Sequence, residues 1–365
     1  MSLPTRPARI ALTGGGFRAG LHLDLVARLP EHFEVVGVLA RSDAAAARAT
    51  ARGLPVHRDL DGLLGAAPDL VVVSVAAAAA PGLVVELLER GAAVLMETPP
   101  AADLGGLRSF WDATGPDARV QVAEQYLLSP HNAARLELVR QGSLGIPTSV
   151  QVSSTQLHHA TSMVRGFLGL GAEPARVVAS ATTAPLADPI TRAGWTGDAA
   201  PRPQVTTIAT FDFGDGRSAL YDFTETQTRN PLRHRRLVVR GSLGELVDDR
   251  LVRLADATTV LTSSIERRQT GHHQDVQGFD LDVLSADGEV LFRNPYVGAR
   301  LSDEEIAVAT LLERAGTWAR GEGPGPYPLA EAAQDQLLSL AIAEALATGG
   351  PVRTAGEAWA GALGR

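Results

Sequence analysis

All 33 basic residues of this 365-residue chain are arginine, so no lysine amine can form a Schiff base or donate a proton. There is no cysteine either, which removes thiolate nucleophiles, disulfides and Cys-ligated zinc or iron-sulfur centres. Proton chemistry must therefore run through histidine, tyrosine, carboxylates or water. The tandem pair His158 and His159 is the first candidate, because an imidazole titrates near neutrality and suits a general base. Its structural counterpart is a pair that caps a helix or faces solvent. Tyr126, in Glu124-Gln125-Tyr126, and Thr98, in Glu97-Thr98-Pro99, are the next groups placed to assist. His272 and His273 lie in a polar stretch, Thr270 to Gln274, with no further ligand at metal spacing, and no metal site is expected.

A second constellation is the turn Thr13-Gly14-Gly15-Gly16-Phe17-Arg18-Ala19, set between a short apolar run and a helical stretch. In a dinucleotide-binding turn Gly14 makes the tight bend, Gly16 lets backbone N–H groups approach a pyrophosphate, and Ala19 allows close helix-on-strand packing. The helix beginning near Phe17 and Arg18 then points its positive end at the phosphates. Three glycines also make a plain loop, and it is the strand before and the helix after that favour the dinucleotide. The next strand ends in Ala40-Arg41-Ser42 with no carboxylate until Asp43. Arg41 and Ser42 suit a 2′-phosphate, which favours NADP over NAD, although the same residues also make an ordinary capped helix start. Val75, Glu97, Pro99 and Gln125 follow the later strands and complete the candidate cofactor contacts.

The elements that must position these groups alternate regularly. Apolar runs at Arg9–Leu12, Phe33–Leu39, Leu70–Val75, Val94–Met96 and Arg119–Ala123 are separated by helical stretches at Ala19–Leu29, Ala44–Arg52, Leu83–Arg90 and Leu104–Thr114. Such strand-helix-strand units predict a doubly wound parallel α/β sheet over residues 1–123, with ligand beyond the carboxyl ends of its strands. Residues 124–365 predict an α+β domain on an open, mainly antiparallel sheet. Strand-like runs there are Val205–Phe211, Ala219–Thr224, Leu237–Val239 and Leu281–Leu284, with turns at Gly214-Asp215-Gly216 and Ala286-Asp287-Gly288. Ser302-Asp303-Glu304-Glu305 is a capping box opening a helix over Ile306–Arg320, and Gly321–Pro328 is a linker into a final helix.

Composition narrows the partners. A net charge of -8 argues against a general nucleic-acid or anionic-membrane binder. The most apolar stretch, Leu70 to Val85, is broken by alanines and Pro81-Gly82 and does not span a membrane, and Met1 to Arg9 is too short and polar for a signal peptide. A cytoplasmic protein acting on a small molecule is expected, with Arg233-His234-Arg235-Arg236 a solvated or subunit-facing edge.

The order of landmarks resembles the glucose-fructose oxidoreductase, inositol dehydrogenase and rhizopine-catabolism (Gfo/Idh/MocA) family. Besides the glycine turn, the resemblance rests on Asp69–Val75, on Leu88–Pro99 with Glu97-Thr98-Pro99 where the family reads Glu-Lys-Pro, and on Gly142–Pro147. It continues through Phe211–Arg217, Gly241–Leu246 and the helix Leu329–Ala347 with its Thr348–Val352 end. It implies an NAD(P)-dependent oxidoreductase acting on a sugar, polyol or cyclitol, a cis bond at Pro99, and a homo-oligomer formed through the second domain's sheet. It also implies a proton-transfer centre of a lysine and a histidine, with an aspartate one turn before the histidine. Those positions are Thr98, His159 and Thr155 here, and Ala77 and Ala80 replace a further Asn and His. Two readings follow: a dehydrogenase in which His159 is the base, assisted by His158 or Tyr126, or a ligand-binding protein that has lost the chemistry. A hydrolase using NAD in an internal redox cycle is a third.

Overall fold

The computed structural model describes residues 6–271 and 277–363, so His272 and His273 lie outside the described residues. The elements begin with β1 (Ala8–Thr13), α1 (Phe17–Arg28), β2 (Phe33–Leu39), α2 (Asp43–Ala51), β3 (Val56–His57), α3 (Leu60–Gly65), β4 (Leu70–Val73), α4 (Ala80–Glu89), β5 (Val94–Met96), α5 (Leu104–Thr114) and β6 (Val120–Val122). They continue with α6 (Pro130–Arg140), β7 (Pro147–Val152), α7 (Leu157–Leu168), β8 (Arg176–Leu186), β9 (Ile190–Thr191), β10 (Gly194–Trp195), β11 (Arg202–Gly214), β12 (Arg217–Thr224), β13 (Leu237–Gly241), β14 (Gly244–Val247), β15 (Arg250–Asp256) and β16 (Thr259–Ser264). The last are β17 (Glu266–Thr270), β18 (Asp280–Ala286), β19 (Glu289–Arg293), α8 (Asp303–Ala319), α9 (Leu329–Thr348) and β20 (Val352–Arg353). The chain forms two compact units. The first holds residues up to Pro130 with Gln269–Asp282 and Asn294–Ala333, and the second holds the rest.

In the first unit, β1 to β6 form a parallel sheet of order β3-β2-β1-β4-β5-β6, the doubly wound arrangement expected from the alternation. Leu70, Val71, Val72 and Val73 of β4 are all buried, as a central strand covered on both faces requires. Side-chain caps set the helix starts: Ser42 for α2, Asp59 for α3 and Asp103 for α5 each accept from a backbone N–H of the first turn. β3 and α3 were not apparent in the pattern, since a two-residue strand and a one-and-a-half-turn helix carry too few residues to show a period.

The α8 segment joins this first unit, not a domain running unbroken from residue 124. Its capping box is present as predicted: Ser302 Oγ accepts from Glu305 N, and Glu305 Oε2 accepts from Ser302 N at 2.7 Å. The helix packs against β1 so closely that a Cβ added at Gly316 would lie 2.7 Å from the Cβ of Ala8.

In the second unit a mixed sheet runs β16-β15-β14-β13-β7-β12-β11-β8-β20. Only the β7–β12 pair within it is parallel. The 13-residue β11 extends beyond the Val205–Phe211 run, and the 11-residue β8 is a strand that the sequence pattern did not show, because threonine and alanine on its exposed positions blur the alternation. The turn predicted at Gly214-Asp215-Gly216 joins β11 to β12 with all three residues at positive φ, and the turn at Asp287-Gly288 joins β18 to β19. Helix α7 covers β7 and β12, burying Met163, Val164 and Phe167.

The α8–β1 contact makes a prediction opposite to helix propensity. Gly316→Ala, which would gain about 1 kcal/mol in an open helix, is expected to lose about 1–3 kcal/mol in urea denaturation through overpacking. The double variant Ala8→Gly with Gly316→Ala should recover most of that loss.

Candidate functional site

The glycine turn leaves β1 at Thr13, whose neighbour across the sheet is Val73 of β4. Gly14 has φ +108°, and a Cβ there would stand 2.0 Å from the carbonyl oxygen of Ser74. No other residue type fits. Gly16 is the N-cap of α1, and a Cβ on it would meet nothing within 4 Å, so the approach to the helix start is open. No side chain caps α1 and its first turn holds no acidic residue, so no carboxylate offsets the positive end of the helix, which suits an anion. These features fit a dinucleotide pyrophosphate, and Phe17 and Arg18 sit in that first turn as expected.

Glu97 follows β5, and its N–H donates to the carbonyl of Val73. Its Oε1 accepts from Arg18 Nε at 3.0 Å and from His22 Nε2 at 2.8 Å, the two donors standing one helical turn apart on α1. Burial alone would raise the Glu97 carboxyl. The His22 hydrogen bond and the Arg18 and His22 charges outweigh it and hold the group below the usual carboxylate range. A fixed carboxylate thus tethers the residue before Thr98 to the cofactor-type helix. The Thr98–Pro99 peptide is cis. The sequence reading missed His22, although its signal was available in the Arg18 to His22 spacing on the buried face of α1.

Other expected cofactor contacts also lie in the first unit. Val75 follows the close approach of Gly14 to Ser74, and Gln125 is buried after β6 with its Oε1 lacking a hydrogen-bond partner among the described residues. Tyr126 opens a short 3-10 helix, its N–H donating to Glu124 Oε1 at 2.9 Å. Ser42 caps α2 by accepting from Ala45 N at 3.3 Å, so the ordinary helix-start reading of this residue holds, and Arg41 is exposed beside it.

His158 and His159 belong to the second unit, at the start of α7. The helix is entered through Leu157 at φ +46°, a strained value for a bulky side chain. Leu157 N donates to the hydroxyl oxygen of Tyr221 at 3.3 Å. Burial, reinforced by the Asp222 charge against that hydrogen bond, pushes the Tyr221 phenol up to about 12, so it stays neutral. The imidazoles are 4.2 Å apart. Burial first, and then the charge of His159, push His158 down to about 3, and its Nε2 has no partner among the described residues. His158, half-buried, is therefore held toward its neutral form, which makes it a weaker proton acceptor than an ordinary imidazole. Thr155 is fully buried before the helix begins, with its hydroxyl unpartnered, so no carboxylate stands one turn ahead of His159.

Helix α7 is clamped further along. Thr161 Oγ1 donates to the backbone carbonyl of Asp335 at 2.9 Å, and Arg165 Nη1 pairs with the Asp335 carboxylate at 2.8 Å in a nearly solvent-free setting. Among the described residues there is no cluster of metal-ligating side chains, and no helix is long and apolar enough to cross a membrane.

Residues 8–123 match the family GFO_IDH_MocA, described as an oxidoreductase family with an NAD-binding Rossmann fold. No curated protein sequence matches significantly. The chain is similar in fold to a putative myo-inositol dehydrogenase from Sinorhizobium meliloti, with 19% identity, TM-score 0.65, and coverage of 95% of this chain and 100% of that one. It is also similar to a myo-inositol dehydrogenase from Corynebacterium glutamicum, with 18% identity, TM-score 0.63 and coverage of 96% and 100%. A third is a levoglucosan dehydrogenase in complex with NADH and levoglucosan, with 17% identity, TM-score 0.66 and coverage of 95% and 99%.

The Glu97 tether sets a pH signature. A carboxyl lowered on folding stabilises the native state above its unfolded pKa, and the benefit is lost as pH falls through the folded value. Glu97→Gln is expected to cost about 1–3 kcal/mol in urea denaturation at pH 7, with the difference from the parent shrinking on acidification.

Proposed function

We propose that this chain, whose amino-terminal domain belongs to the Gfo/Idh/MocA oxidoreductase family, is an NADP-preferring dehydrogenase or reductase of a sugar-, polyol- or cyclitol-like alcohol or ketone. The observation that carries the reading is the glycine turn: an obligate bend at Gly14 and an open, uncapped helix start at Gly16. When bound there, the nicotinamide cofactor would supply or accept the hydride. Gly14, Gly16, Phe17 and Arg18 would hold the pyrophosphate end, with Arg41 and Ser42 at the adenosine ribose. Val75, Gln125 and the Glu97-Thr98-Pro99 segment line the later strand ends. Glu97 acts as a positioning residue, its charge spent on Arg18 and His22.

His159 is the general base in this reading, taking the hydroxyl proton of the alcohol or returning it to the ketone, and Tyr126 and Thr98 are the first unit's candidate substrate-side hydroxyls. The substrate class is suggested by the inositol and levoglucosan dehydrogenases that share the fold. Thr98 and Thr155 also support a second reading, in which the chain binds cofactor and ligand without turnover, since neither hydroxyl replaces the amine or carboxylate of the family pattern.

The second unit's sheet is proposed to pair with another copy of the chain. Its outward positions carry exposed Val178 and Ile208 on β8 and β11, and Val252, Leu254 and Val260 on β15 and β16. Sedimentation is expected to give a mass at least twice the 38.2 kDa of one chain, and a monomer would remove this interface.

NADPH is expected to bind with fluorescence enhancement and more tightly than NADH, and equal or reversed affinities would count against the cofactor assignment. His159→Ala is expected to lower turnover about 10²- to 10⁴-fold with NADPH affinity unchanged. A variant at parental rate would remove His159 from the mechanism. A screen of cyclitols, aldoses and keto sugars that gives no absorbance change, while NADPH still binds, would favour the second reading.

A further inference from the structure

Strands β1 and β2 lie side by side and parallel, with Thr13 opposite Leu39, so the glycine turn and the Ala40-Arg41-Ser42 segment leave the same sheet edge as neighbours. In a doubly wound sheet the adenosine ribose sits in that gap. Arg48, on the second turn of α2, folds back across it: its Nη2 lies 3.2 Å from where a Cβ on Gly15 would stand. The space a side chain at position 15 would fill is already taken by a guanidinium.

Neither Arg48 nor Arg41 makes an ion pair among the described residues. The acids carried by α1 and α2 are committed elsewhere, Asp24 to Arg52 at 3.0 Å and Asp43 to Arg58 at 2.8 Å. Ser42 accepts a capping hydrogen bond, which leaves its hydroxyl proton to donate. One flank of the gap thus carries Arg41 and Ser42, and the other carries Arg48 over the glycine turn. Two guanidiniums with no ion-pair partner among the described residues, one at the end of β2 and one over the glycine turn, suit a dianion, because each offers charge-assisted donors.

We propose that Arg48 completes a 2′-phosphate clamp with Arg41 and Ser42 and is a specificity-determining residue for the phosphorylated cofactor. The proposal rests on the NADP reading above and adds to it a residue outside the glycine motif and outside the end of β2.

The test is equilibrium binding on the full chain, with NADPH and NADH followed by fluorescence and adenosine 2′,5′-bisphosphate and 5′-AMP by calorimetry. Arg48→Ala is expected to weaken NADPH and adenosine 2′,5′-bisphosphate about tenfold or more, while NADH and 5′-AMP shift less than twofold. Arg52→Ala, on the same helix but paired with Asp24, should change none of them. A parental protein that does not prefer NADPH overturns the cofactor reading and the clamp together. A parental preference lost in Arg41→Ala but kept in Arg48→Ala overturns the clamp alone. Equal losses in Arg52→Ala and Arg48→Ala also overturn it, since the effect would then be general charge.

Discussion

The close approach of Gly14 to the carbonyl of Ser74 is the constraint on which the first unit is arranged. Two buried parallel strands can end this near each other only if the chain turns at once, and only a residue without a Cβ can turn there. The bend sends α1 back along the sheet with its N-terminus at the strand ends. From that direction follows the rest: Arg18 and His22 face the end of β5, and Glu97 waits there for both. A glycine that packs backbone against backbone thus determines which side chains can meet two strands away.

Histidine apart, side-chain positive charge in this protein is carried by guanidinium groups alone, and the structure uses their planar donors in settings where an ammonium would be less suited. Arg165 and Asp335 form a pair almost wholly removed from water, joined by the Thr161 hydroxyl on the Asp335 carbonyl. Such a pair adds little net stability over an apolar substitute, but breaking it leaves a buried charge, so it specifies how α7 is seated. His159 stands on that helix. Its neighbour His158 shows the converse case, a half-buried imidazole whose desolvation, with the His159 charge, pushes it toward the neutral form.

The parallel sheet was legible because fully buried strands such as Leu70–Val73 read as unbroken apolar runs, and because the glycine turn has a spacing with a mechanical meaning. The capping box at Ser302 to Glu305 was equally plain, since both partners lie within four residues. What escaped were contacts over long sequence separations. Nothing near Arg18 or His22 announces Glu97, and nothing in the α8 sequence says that Gly316 will rest on Ala8. The division of the chain was hidden for the same reason, as the stretch around α8 returns to the first unit after the second has begun.

From its sequence alone the chain determined a lysine-free, cysteine-free chemistry, a nucleotide-type glycine turn and the alternation that builds a doubly wound sheet, because composition and local period are properties of neighbouring residues. Only the tertiary structure decided that Glu97 pairs with Arg18 and His22, that the half-buried His158 is held toward its neutral form, that Thr155 is sealed away, and that Arg48 reaches the glycine turn. Each of these depends on burial or on a side chain crossing between elements. Free energies of that kind are set by the surroundings a residue acquires on folding, not by its neighbours in the chain.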